Sequence, residues 1–349
     1  MKKTLLSILF AVTLSLFVSN YGSAAESHTK DLSIKQGEEE VRNYLKISHK
    51  NYKINSDAYI SFLQGINEQS DEIEKKGFNF VLMEVYSTTY LEELEKYIQT
   101  QEKKAKSQAD VSADKFKLPN DIKKETVEDI QEKNIKIDKE IEKETKKERE
   151  KVQNQKINLL SQSYPVITFA TPVRSGYNRS AAKRYMVNNW KSTNSSFGYF
   201  GGGGGDCTNY ASQVLLAGGM NMDTSGLIYR PGWHKNTKGW HNVSVPKSHG
   251  RRTYSTSWTV VGDFYKYWAG TKRHKVYNFT SPKAVSKYAR TGDILQIYSK
   301  SSKKWYHTAI IYDIYKGYPR FSAHSKHHLY AHLEREAKPK HYKYRIIKF

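Results

Sequence analysis

The sequence has a single cysteine, Cys207, in 349 residues, so no intramolecular disulfide can stabilise the fold. Long hydrophobic runs are also missing. The one apolar stretch, residues 5–18, is shorter than the ~20 residues that a membrane-spanning helix needs. These absences predict a soluble fold that is held together by its hydrophobic core. An unpaired cysteine in such a fold is either a small buried hydrophobe or a reactive nucleophile.

The N-terminus has the three parts of a secretory signal peptide. Lys2 and Lys3 give a positive start, the apolar stretch follows, and Ser23, Ala24 and Ala25 offer a cleavage site. We therefore predict a signal peptide over residues 1–25 and a secreted protein, either extracellular or associated with the cell wall. No integral membrane segment is expected after cleavage.

Acidic residues are scarce in the second half of the chain. Residues 165–349 contain 30 Lys and Arg but 7 Asp and Glu, a net charge of +23, whereas residues 1–164 contain 27 and 28. A surface with such an excess of positive charge attracts polyanions. The two halves therefore differ in surface chemistry, and we predict that they differ in role.

The first half divides into two segments after the signal peptide. Residues 26–100 contain apolar residues at helical spacing, and residues 78–86 are rich in strand formers, which together predict a small α or α+β domain. Residues 101–163 are dominated by Lys, Glu, Gln, Asp and Asn and are predicted to form a charged helical linker. A coiled coil is the alternative, on an apolar stripe that Asn134 interrupts.

Residues 164–349 show helical patterns first and strand patterns afterwards. Apolar residues at helical spacing predict helices over 180–190 and 207–217, and Gly218-Gly219 ends the second. Strands are predicted over residues 293–298, 307–315 and 320–324, the last two joined by a hairpin turn at 316–319. Helices followed by an antiparallel sheet define an α+β fold.

Cys207 lies where a reactive thiol is best placed. It follows the glycine run 201–205 and begins a predicted helix, whose positive end favours the thiolate. Asp206 is expected to cap this helix with its carboxylate. The backbone N–H of Cys207 would then be an oxyanion donor. The glycine run lacks the Lys-Ser/Thr that follows a phosphate loop, which argues against nucleotide binding.

A cysteine nucleophile needs a base, and His307 is the first choice among the 12 histidines. It begins an apolar strand, where the backbone can hold the ring rigidly. The predicted hairpin turn places His307 opposite residue 325 or 326. His324 is then close enough to be the third member of a nucleophile–base–orienter arrangement.

Other residues are weaker candidates. Asp313 lies about 20 Å along the strand from His307, too far for a direct hydrogen bond. A metal site could be formed by His327, His328 and His332, but no cysteine or acidic ligand lies beside them at zinc-type spacing, so neither a metal nor another cofactor is expected. Candidate substrate-binding residues are Trp233, Trp258 and Asn209, for which core packing or structural hydrogen bonding is the alternative.

At this point the residues resemble a known family. A cysteine at a helix start, a histidine that opens a strand and a polar residue on the next strand resemble the papain-like cell-wall hydrolases of the NlpC and CHAP kind. More closely, several segments resemble the putative amidase domain of secreted proteins of Gram-positive bacteria: YNRSAAKRYMVNNW (177–190), DCTNYASQVLLAGG (206–219), the spaced Trp233 and Trp258, GDILQIY (292–298) and HTAIIYD (307–313). The resemblance covers about residues 175–330.

The resemblance implies a papain-like fold with Cys207 as nucleophile, His307 as base and His324 as the polar residue on the following strand. The implied function is that of a secreted cysteine amidohydrolase or thiol protease that cleaves an amide bond in peptidoglycan through a thioester. An exported protein meets anionic wall polymers, such as teichoic acids, rather than nucleic acid. Two alternatives stay open: a non-catalytic module that binds those polymers, and an acyl transferase that uses the same thioester.

Overall fold

The computed structural model of the protein describes residues 28–104, 112–162, 176–198, 200, 206–324 and 326–349. The predicted signal peptide, residues 1–25, and the glycine run 201–205 lie outside the described residues. Within the described ranges, no helix combines the length and the apolar character that crossing a membrane requires.

Helices make up the first half of the chain where it is described. They are α1 (Ile34–Ile47), α2 (Asp57–Gln64), a 3-10 helix (Ile66–Gln69), α3 (Ser70–Lys75), α4 (Phe80–Lys104), α5 (Asn120–Lys124) and α6 (Val127–Gln162). Residues 78–86 do not form a strand, although they are rich in strand formers, because α4 begins within them. The side chain of Asn79 accepts the backbone N–H of Leu82 at 3.0 Å and so caps this helix.

The second half adds helices and two sheets. Its elements are α7 (Arg179–Asn189), α8 (Cys207–Ala217), β1 (Gly232–His234), β2 (Asn242–Ser244), β3 (Arg252–Ser255), α9 (Thr256–Thr259), α10 (Val261–Tyr265), a π-helix (Lys266–Thr271), β4 (Val276–Phe279), α11 (Pro282–Ser286), β5 (Ile294–Ser299), β6 (Lys304–Tyr315), β7 (Tyr318–Ala323), β8 (His328–His332), α12 (Leu333–Glu336) and β9 (Tyr342–Ile347). The predicted helix over 207–217 is confirmed, and the three predicted strands correspond to β5, β6 and β7.

The main sheet has the strand order β4-β9-β5-β6-β7-β8, and every neighbouring pair is antiparallel. The hairpin between β6 and β7 turns at Lys316 and Gly317, with φ values of 49° and 80°. Two consecutive positive φ angles are typical of the two-residue turn that matches the twist of the flanking strands. The predicted hairpin is therefore confirmed. Helices and an antiparallel sheet together agree with the predicted α+β class.

The two faces of the main sheet are buried against different halves of the chain. Ile294, Ile310 and Ile347 pack with α7, α8 and the tryptophans of the second half. Residues that point the other way, such as Leu295 and Ile311, share a core with the first-half helices. Because strand side chains alternate between faces, one sheet serves two cores.

Helix α6 is packed rather than solvated along its first turns, although it falls within the predicted charged linker. The side-chain amides of Gln131 and Asn134 donate to the backbone carbonyls of Ser301 and Ser302, each at 2.7 Å. Both amides are buried. Asn134, which interrupts the apolar stripe, is therefore a buried residue whose hydrogen bond fixes α6 to the turn between β5 and β6.

Candidate active site

Cys207 is the first residue of α8 and lies at the edge of a cavity of about 510 Å³, a size typical of small-ligand sites. Helices α4 and α6 line one side of this cavity, and the second half lines the other. The thiol is 3% exposed and lies 3.7 Å from the hydroxyl of Thr208. That hydroxyl donates to the hydroxyl of Thr308 at 3.1 Å, which fixes the start of α8 against β6.

The surroundings of Cys207 keep its thiol protonated at rest. Burial raises the pKa of Cys207, and the negative charges of Glu95 and Asp206 add to this. Hydrogen bonding to the backbone of Thr308 and to the side chain of Thr208 lowers the pKa only in part. A base must therefore remove the proton before the sulfur can act as a nucleophile.

Asp206 has a different role from the helix cap that the sequence predicts. Its side chain makes no capping hydrogen bond to α8. Instead, one carboxylate oxygen accepts from the side-chain amide of Asn209 at 2.7 Å and from the backbone N–H of Phe200 at 3.2 Å. The other oxygen lies 2.7 Å from Nδ1 of His324. Three donors outside the helix backbone therefore satisfy this buried carboxylate.

His324 follows the end of β7 and lies beside the first turns of α8. Its ring is 1% exposed and stacks on Tyr210 with 3.9 Å between ring centroids. Nδ1 contacts the Asp206 carboxylate, and Nε2 lies 2.9 Å from the carbonyl oxygen of Asn189. Both partners are acceptors, and a neutral imidazole ring can donate to one of them at a time. Asp206 and His324 thus form a carboxylate–imidazole pair next to the nucleophile candidate.

His307 lies on β6 but faces away from Cys207. A β-bulge leaves Tyr306 as an extra residue, because His307 pairs with Ile297 and Trp305 with Tyr298. Thr308 contacts the start of α8, and consecutive strand residues point to opposite faces. Burial, followed by the charge of His328, lowers the pKa of His307 to about 4. The described residues show no hydrogen bond between His307 and Cys207.

The second half of the chain matches a known family. Residues 176–347 match the family described as a putative amidase domain. We call them the amidase domain below. Neither a curated protein nor a solved structure matches the chain. The match contains Cys207, His307 and His324 and supports amide hydrolysis as the general activity.

Of the three candidate substrate-binding residues, Trp233 is the one that lines the cavity beside Cys207. Trp258 is fully buried in the core of the amidase domain, where its Nε1 donates to the side-chain oxygen of Asn209 at 2.7 Å. Asn209 uses its Nδ2 to bind Asp206 and is 1% exposed. In this conformation Trp258 and Asn209 position the start of α8 and offer a substrate almost no surface.

Two residues of the site were not assigned from the sequence. The sequence shows that Asp206 is an acid next to the cysteine. Its contact with His324, which lies 118 residues further along the chain, could not be predicted from local patterns. Glu95, on α4, lines the cavity from outside the amidase domain, and no motif surrounds it. Burial, followed by the charge of Glu92, raises the pKa of Glu95 to about 7. Asp313, the weaker candidate, is paired with Arg320 at 2.7 Å.

Ion pairs join the two sides of the cavity. Lys304 of the amidase domain lies 2.5 Å from Glu92 on α4, and Arg345 lies 3.1 Å from Glu142 on α6. Lys266 lies 2.8 Å from Glu144, which also belongs to α6. The acidic residues of the first half therefore neutralise part of the positive charge of the amidase domain at this cleft.

Proposed function

We propose that this protein is a secreted cysteine amidohydrolase or peptidase with a papain-like amidase domain that cleaves an amide bond in peptidoglycan. The match to the amidase family supports the reaction class. The observation that carries the proposal is the position of Cys207, which begins α8, lines the large cavity and follows directly on the buried Asp206–His324 pair.

The proposed reaction proceeds through a thioester. A histidine accepts the proton of Cys207, and the sulfur attacks the amide carbon to form a tetrahedral oxyanion beside the N-terminus of α8. The amine leaves with the proton from the imidazolium, and a thioester remains on Cys207. Water then adds to the thioester, the acid product leaves, and the thiol regains its proton.

His324 is the histidine that the geometry favours for this step. Asp206 holds Nδ1, as the carboxylate does in a nucleophile–base–orienter arrangement. Nε2, which now contacts the carbonyl of Asn189, is the nitrogen that would accept the thiol proton after leaving that contact. His307, the base that the sequence predicts, can take this role only if its ring reaches the opposite face of β6.

We propose further that the protein is exported and acts in a Gram-positive cell wall. The signal-like N-terminus supports export, and the net charge of +23 over residues 165–349 supports retention by anionic polymers of a Gram-positive wall. This charge also favours the second candidate function, a module that binds the wall without turnover. The two functions differ in what they require of Cys207, because binding needs no nucleophile.

The test is incubation of purified sacculi with the protein and with its Cys207→Ala, His324→Ala and His307→Ala variants, followed by mass spectrometry of released fragments. We expect the native chain to release fragments with a new carboxyl and amino end and the Cys207 and His324 variants to release none. Release by His307→Ala at near the native rate would support His324 as the base. The proposal fails if Cys207→Ala releases the same fragments, or if the native chain cleaves neither sacculi nor a peptide library.

A further inference from the structure

A second cluster of polar side chains lies on the face of the sheet away from Cys207. Glu68 from the 3-10 helix, His328 from β8 and Glu336 from α12 each place one ligand atom within 4.8 Å of the other two. Nε2 of His328 is 3.0 Å from an oxygen of Glu68. We call these three residues the Glu68 cluster. It joins the helical first half to the last strands of the sheet.

His307 borders the same cluster. A small cavity of about 30 Å³, enough room for one water-sized particle, is lined by the Glu68 cluster and by His307, and His324 and Lys326 also border it. No described residue forms a hydrogen bond with the ring of His307. The neutral form of an imidazole ring offers a nitrogen lone pair to a metal ion.

The electrostatics of the cluster favour a cation. Glu68 and Glu336 bring two carboxylate groups into the cluster, and a cation between them would offset their mutual repulsion. The ammonium group of Lys326 lies 2.5 Å from the second oxygen of Glu68 and supplies positive charge in this conformation. Lys326 lies on the short connection between β7 and β8, whereas the three cluster residues belong to regular elements.

We propose that the Glu68 cluster, with His307 as a fourth ligand, binds a divalent transition-metal ion of the zinc type. Imidazole and carboxylate ligands at about 2.1 Å from zinc in a tetrahedron lie roughly 3.4 Å from one another. The Glu68–His328 pair is already as close as this, and the two pairs that involve Glu336 lie within 4.8 Å and need to close by at most about 1.4 Å. The ligands come from four separate segments, so no local spacing in the sequence could have revealed the site.

The alternative is a permanent ion-pair network in which Lys326 holds Glu68. The two possibilities differ in the effect of removing the lysine. If the cluster is a metal site, the ammonium competes with the ion, and Lys326→Met should bind zinc more tightly than the native chain. If the cluster is only an ion-pair network, Lys326→Met should lose stability without gaining a metal.

The experiment uses the full chain, stripped with a chelator and titrated with zinc by equilibrium dialysis with metal analysis. We expect one saturable zinc ion per chain, an affinity about 10- to 100-fold lower in Glu336→Gln and in His328→Ala, and a higher affinity in Lys326→Met. His332→Ala, on the same strand β8 but outside the cluster, is the matched control and should bind like the native chain. Zinc in excess should also raise Tm of the native chain by several degrees, with no such rise in Glu336→Gln.

Cobalt substitution gives an independent readout. A tetrahedral site with imidazole and carboxylate ligands should give a visible absorption band that is lost in His328→Ala and reduced in His307→Ala. The proposal is overturned if the native chain binds no zinc, even where Lys326→Met does, or if the Glu336 and His328 variants bind zinc as the native chain does. These outcomes do not depend on Cys207, so they leave the proposed function to its own test.

Discussion

The most quantitative test of the shared core is the substitution Glu84→Gln. Glu84 lies on α4 and is 1% exposed, packed between the first-half helices and the sheet. Neither of its carboxylate oxygens has a hydrogen-bond partner among the described residues. Burial raises the pKa of Glu84 from 4.5 to about 7; the nearby hydroxyls of Ser301, Ser299 and Tyr342 lower it in part, although none of them makes a hydrogen bond of regular geometry with the carboxylate.

The sign of the effect on stability follows from the direction of this shift. When the pKa of an acid is higher in the folded state than in the unfolded state, its ionisation lowers the free energy of unfolding. For Glu84 this loss of stability is absent below pH 4.5 and complete above about pH 7. At 1.36 kcal/mol for each pKa unit, the penalty above pH 7 is on the order of 3 kcal/mol. Glu84→Gln removes the ionisable group and keeps its shape. We therefore expect the variant to gain up to about 3 kcal/mol at pH 8 and almost nothing at pH 4.

The assay is urea unfolding of both chains between pH 4 and pH 8, and the quantity compared is the difference in unfolding free energy at each pH. Taking the difference removes the titration of all other groups. Glu132→Gln, on the exposed side of α6, is the matched control and should give a flat difference. A flat difference for Glu84→Gln, or a loss of stability that is the same at every pH, would refute a buried carboxylate at the contact between the two halves.

Three further predictions concern the site and the hairpin. Asp206→Asn should shift the single proton of neutral His324 to Nε2, the nitrogen that faces Asn189, so that Nε2 can no longer accept a proton from the thiol. Fragment release should fall by roughly 10³-fold or more, while urea unfolding shows a loss of about 1–2 kcal/mol; unchanged release would exclude Asp206 as the orienting residue. Iodoacetamide should label Cys207 in the folded resting chain at least about 10-fold more slowly than a small thiol at pH 8, and at the small-thiol rate in urea, because the folded thiol is buried. Gly317→Ala should lower the unfolding free energy by about 1 kcal/mol, since its φ is 80°, and an unchanged urea midpoint would contradict the turn geometry.

Local signals predicted the elements that position Cys207. The spacing of apolar residues and Gly218-Gly219 were enough for α8, and the turn residues were enough for the register of the β6–β7 hairpin. The start of α4 was not predictable from composition, because its strand formers are buried in a helix that Asn79 caps. Tertiary packing overrides propensity in such segments.

The arrangement of the histidines could not be predicted for a different reason. The face to which His307 points is set by the register in which β6 pairs with β5, and a shift of one residue would move every side chain to the other face. The contact between Asp206 and His324 depends on how α8 packs on the sheet, and local sequence patterns do not determine this packing. A hairpin register therefore indicates which residues are neighbours but not which of them share a site.

The position of β9 has a consequence for how the chain reaches its folded state. Residues 342–347 form the second of the six strands of the main sheet, between β4 and β5, rather than an edge strand. During synthesis, the edges of β4 and β5 that pair with β9 stay without a partner until residues 342–347 have emerged. Pairings between distant segments form slowly and expose strand edges to aggregation. Deletion of residues 342–347 should therefore prevent folding rather than merely shorten the sheet by one strand.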